Sequence, residues 1–187
     1  ATGHSATGHA GDIVIEVGTG SSGTGGSISI LSGSMDDTDA ARSGGGITIQ
    51  GGHNAHGSSG AVKLSSGDSH LEGQSGEVEI QSGTANTEGT GDVRILSGES
   101  AGSASGDITL QVGDSSSGTS GSISITAGAN LGDTGLGGDL RIQSTTNPLV
   151  DTGTIAMLSG NAAKSANSGS VLVSSGTAMD GLSGSVF

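Results

Sequence analysis

The sequence predicts an all-β fold, a parallel β-solenoid of about six coils of about 31 residues, each coil carrying two strands in two facing parallel sheets. Three observations lead to this class. One short phrase, Gly, a polar residue, then an apolar, any, apolar triplet, recurs twelve times, beginning at Gly11, Gly26, Gly45, Gly60, Gly76, Gly91, Gly106, Gly121, Gly138, Gly153, Gly169 and Gly184. A short fixed period marks a stacked, quasi-one-dimensional chain in which each unit packs only on its neighbours. The steps also alternate: each odd-numbered motif is followed by the next after 15 residues, whereas steps from even-numbered motifs run from 15 to 19. The true repeat is then a pair of motifs, and like residues fall on like one coil apart; a coil of 15 residues is the alternative.

Taken in chain order, each triplet reads as a short strand whose alternate residues face one side. The predicted core is Ile13 and Ile15, Ile28 and Ile30, Ile47 and Ile49, Val62 and Leu64, Val78 and Ile80, Val93 and Ile95, Ile108 and Leu110, Ile123 and Ile125, Leu140 and Ile142, Ile155 and Met157, and Val171 and Val173. Branched aliphatics suit a pleated, buried surface, and each contributes about 1.5 to 3 kcal/mol when fully buried. Gln50, Gln81, Gln111 and Gln143 follow the odd triplets and are expected to form an amide ladder up one sheet. Leu31, Leu96 and Leu158 follow even triplets and would line the other face as a lateral contact stripe.

Between the triplets lie connectors rich in the chain's 39 glycines. A backbone turning a corner needs positive φ or close approach to its neighbour, and glycine supplies both. Helix is excluded because no stretch combines apolar residues at three- and four-residue spacing with freedom from glycine. Pro148 falls in a connector, outside every triplet, as a sheet requires. Composition alone points toward a flexible linker, since the chain has one Phe, no Trp or Tyr and a net charge of -13. The phase kept by the paired aliphatics argues for order instead.

The 187 residues read as one repeat domain, residues 1-187. Ala1 is not an initiator Met and the last motif stops at Phe187, so the chain reads as a segment of a longer one. Uncapped repeat ends favour a continuing chain or end-to-end assembly. Cysteine is absent, which removes disulfides and thiolate metal sites.

Candidates for chemistry are few. His53 and His56 are close enough in sequence to share a metal ion, and Asp36, Asp37 and Asp39 offer carboxylates to calcium in the longest connector. For each, a solvated loop is the plainer account, so the expectation is no cofactor, with calcium as the one ion the acidic connector would take. No phosphate loop ends in Gly-Lys-Ser/Thr and no nucleophile elbow is present, so the chain is not expected to be an enzyme. With five Lys and Arg against eighteen Asp and Glu, nucleic acid is excluded as a partner by charge. No run of residues has the length and hydrophobicity of a membrane span. Ser and Thr in the connectors offer glycan acceptors, although no Asn-X-Ser/Thr is present.

The phrases Gly113-Asp-Ser-Ser-Ser-Gly-Thr-Ser-Gly-Ser-Ile-Ser-Ile-Thr-Ala-Gly128 and Gly169-Ser-Val-Leu-Val-Ser-Ser-Gly176 resemble the Gly/Ser-rich repeat proteins, with repeats of about fifteen residues, of the extracellular surface of diatoms and other stramenopile algae. The resemblance spans 11-187 and implies an extracellular fibrous, coat or adhesive protein. The expected function is thus structural and non-catalytic: a filament, coat or adhesive fibre at the cell surface, built by self-assembly end to end or laterally. Two alternatives come from other classes. An ice-binding solenoid would need a regular Thr array, which the mixed outward positions Asp12, Thr48, Glu77 and Arg141 do not supply. A carbohydrate- or ion-binding module of a surface adhesin would act through the acidic or His-bearing connectors.

Overall fold

The computed structural model describes residues 11-36, 43-145, 149, 151-163 and 165-187. Among the described residues none lies in a helix or a β-strand, and none is buried. This overturns the all-β solenoid: the triplets do not pair into sheets, the chain is mostly coil, and the aliphatics form no closed core. Three backbone-to-backbone hydrogen bonds are made among the described residues, from Gly45 N to Gly33 O, Gly60 N to Gly52 O and Gly138 N to Gly128 O, each 2.9 Å. All three close a connector, and none joins one triplet to another.

Local closure replaces stacking. In nine of the eleven connectors the residue two places beyond the triplet, or the one after it, approaches the glycine that opens the next motif and pinches the connector into a closed loop; Gly91 and Gly106 have no such neighbour. The chain separates into two units, Ala1–Ile95 and Leu96–Phe187. In the first, Val17 lies against Gly26, Ser32 and Gly33 against Gly45, Gly51 and Gly52 against Gly60, and Ser66 against Gly76. The Ser32 hydroxyl also donates to Gly45 O at 2.8 Å. In the second, Val112 lies against Gly121, Ala127 and Gly128 against Gly138, Ser144 against Gly153, Ser159 against Gly169, and Ser175 against Gly184.

Size and entropy explain why the loops close where coils do not. Each triplet is three residues flanked by glycine, shorter than most strands, and it brings only two aliphatics to any sheet. Closing a loop of about 10 residues costs about 1 kcal/mol less chain entropy than closing a coil of about 31, by the logarithmic dependence on loop length. The neck glycine then supplies the space. A methyl group at Gly26 would stand 2.5 Å from Val17 Cγ1, and one at Gly121 would stand 3.0 Å from Val112 Cγ1.

The resulting exposure is large. The chain presents 18678 Å² to solvent, against about 7,900 Å² for a folded monomer of 17.6 kDa and about 25,500 Å² for an unfolded one.

Candidate functional site

The most covered positions are the loop necks. Gly51, Ser66, Ser82, Val112, Ala127 and Ser144 are half-buried, every other described residue is exposed, and each of the six sits two places beyond a triplet. Sequence reasoning missed this position, although a signal for it exists. It is always small or Val: Val17, Ser32, Gly51, Ser66, Ser82, Ser97, Val112, Ala127, Ser144, Ser159 and Ser175. A long side chain there would fill the gap that the following glycine leaves open.

Two loops are organised further by an asparagine. In the loop 52-60, Asn54 Oδ1 accepts from His56 N and Gly57 N, both at 3.0 Å. In the loop 128-138, Asn130 Oδ1 accepts from Gly132 N at 3.0 Å, and Asn130 Nδ2 donates to Thr134 O at 2.5 Å. Short amide side chains mimic a backbone turn in this way. Gly135 follows with φ +99°, a conformation that L side chains rarely adopt. A methyl group there would also stand 2.8 Å from Asn130 Nδ2.

Among the described residues the candidate metal ligands belong to no cluster of three. His53 and His56 lie exposed in the 52-60 loop, and Asp36 is exposed, while Asp37 and Asp39 lie outside the described residues. Among the described residues no three His, Asp or Glu are placed to share a metal ion, and no pocket is enclosed. The predicted amide ladder also gives way. Gln143 Oε1 accepts from Arg141 Nε at 2.8 Å and from Arg141 Nη2, an interaction within one segment, and among the described residues Gln50, Gln81 and Gln111 make no bond to another Gln. With no sheet to align them, the glutamines have no copies one strand above or below.

What the chain does present is a series of uncovered apolar pairs. Ile28 is 52% exposed and Ile30 68%, with Ile123 at 49% and Ile125 at 62%. The first member of each pair is the better covered from Ile28 onward. Leu31, Leu96 and Leu158 are exposed as well, and loop-tip Leu71 is almost wholly so at 97%.

No protein-family model, no curated protein and no solved structure matches this chain. Among the described residues no helix is long and apolar enough to cross a membrane.

Proposed function

We propose that this chain is a non-catalytic structural protein of the extracellular surface, which forms or decorates a filament, coat or adhesive fibre by associating with copies of itself. The observation that carries the proposal is the half-exposed aliphatic pair of each described motif, repeated along a chain in which no described residue is buried. Full burial of such a side chain is worth about 1.5 to 3 kcal/mol, so the single chain leaves most of that stabilisation unused. A partner with the same spacing can supply it, and another copy has that spacing by construction. The Ser, Thr and Gly of the connectors keep the loops soluble and offer glycan acceptors, which suits a surface location.

The test is a concentration series of the purified chain, read by sedimentation velocity and negative-stain electron microscopy. Sedimentable, regular assemblies above a threshold concentration are expected. A monomer that stays monomeric up to millimolar concentration would contradict the proposal.

A further inference from the structure

Two of the twelve motifs carry both signs of charge. In Gly91-Asp-Val-Arg-Ile and Gly138-Asp-Leu-Arg-Ile an acid and a base stand two residues apart, whereas every other motif pentad holds acids alone, a lysine alone or no charge. The chain has only five Lys and Arg against eighteen Asp and Glu, so both of these arginines stand where a carboxylate is close in sequence.

An Asp-x-Arg segment is complementary to itself in one orientation. Alternate residues of extended backbone share a side, which puts Asp92 and Arg94 on one side of their segment and Val93 and Ile95 on the other. Two copies set antiparallel about Val93 place Asp92 opposite Arg94 twice, with Val93 opposite Val93. Set parallel and in register, they place Asp on Asp and Arg on Arg.

The single chain leaves this segment open. Asp92 and Arg94 are exposed, and Val93 and Ile95 are 53% and 73% exposed. Among the described residues neither Asp92 nor Arg94 has a hydrogen-bond or ion-pair partner, and the backbone of 91-95 makes no backbone hydrogen bond. Nothing lies within 4 Å of a Cβ at Gly91, so another chain has room to approach. The pattern at 138-142 differs on this point. Gln143 Oε1 already accepts from Arg141 Nε at 2.8 Å, whereas the residue in the corresponding place after Ile95 is Leu96. Of the two arginines, Arg94 is the one ready to meet a carboxylate of another copy.

We infer that 91-95 is a two-fold self-contact, pairing antiparallel with 91-95 of a second copy so that Asp92 of each stands opposite Arg94 of the other. The contact is isologous, with the same residues on both sides. The inference rests on the self-association reading above and adds where two copies meet and in which direction. Apolar contact supplies the attraction, and the charge pairs set orientation and register.

The test uses the full-length chain. Asp92→Arg and Arg94→Asp each set like charges opposite one another, and each is expected to raise the threshold concentration for assembly roughly three- to thirtyfold. Net charge alone predicts opposite signs for the two, since the first makes the chain less acidic and the second more so. The exchange D92R/R94D is complementary to itself again, and an equal mixture of D92R and R94D chains is complementary across the pair; both are expected to assemble at the threshold of the unmodified chain. Direction is read by cross-linking, because the chain has no cysteine of its own. With a short thiol cross-linker, G91C chains mixed with I95C chains are expected to join to each other in preference to themselves. Thresholds that follow net charge, an exchange or a mixture that fails to recover, or cross-links as strong within each variant as between the two would each overturn the inference. An unmodified chain that never assembles would instead contradict the proposed function itself.

Discussion

Glycine in this chain acts at two kinds of position, and they predict different responses to a methyl group. At Gly26 the space is already claimed by Val17 Cγ1, at 2.5 Å from an added Cβ. Gly26→Ala should therefore push the exposed Val17 side chain aside and loosen the 17-26 neck. Nothing lies within 4 Å of a Cβ at Gly91, so Gly91→Ala should be neutral within about 0.5 kcal/mol. Amide chemical-shift changes across 17-26 in the first variant, and their absence around Gly91 in the second, check the pair. Asn130 makes a complementary case. Its amide holds Gly132 N and Thr134 O, so Asn130→Ala should speed hydrogen exchange at the Gly132 amide about two- to tenfold, the equivalent of one net hydrogen bond.

The elements of this chain are closed loops joined by bare triplets, and the sequence showed the period of that arrangement without its packing partner. The spacing of Gly26, Val17 and their counterparts was legible as a repeat, and the aliphatic pairs were legible as alternation. The step that failed was assigning contacts one coil away. A period of about 31 residues is equally compatible with loops that close on themselves about ten residues back, and hydrophobic alternation alone does not choose between them. The small residue two beyond each triplet does choose, because it has a function only if something packs on it nearby. Likewise Gln143 reads as a ladder member until Arg141, two residues before it on the same segment, takes its oxygen. The candidate ligands Asp36, His53 and His56 were legible as residue types only, since nothing in their spacing brings a third group to them. Lengthening a loop tests the element directly. Four Gly/Ser residues inserted between Ser21 and Ser22 should cost less than about 0.6 kcal/mol, because even doubling a flexible loop adds no more than that. Assembly and the Val17 methyl shifts should both be unchanged, and loss of the Val17 shifts would mean that the neck depends on the tip.

At the scale of the molecule, the proposed apolar attraction between copies must overcome the repulsion of a net charge of -13. Salt screens the second and not the first, with a Debye length of about 30 Å at 0.01 M and about 8 Å at 0.15 M. Raising sodium chloride from 10 to 150 mM should accordingly lower the threshold concentration for assembly several-fold, as measured by pelleting. A threshold that rises with salt would point to ion pairs as the contact instead. The exposed surface of 18678 Å² leaves the aliphatic triplets open to the contact proposed between copies.

In the proposed assembly the aliphatic triplets, uncovered in the single chain, are covered by other copies. Hydrogen–deuterium exchange, read peptide by peptide on dilute and on assembled chain, tests this most directly. Fast exchange of the triplet amides is expected at high dilution, then strong protection of the triplets on assembly, with loop tips such as Leu71 and Leu131 remaining fast. Triplet amides already protected in the dilute monomer, or unprotected in the assembly, would contradict it.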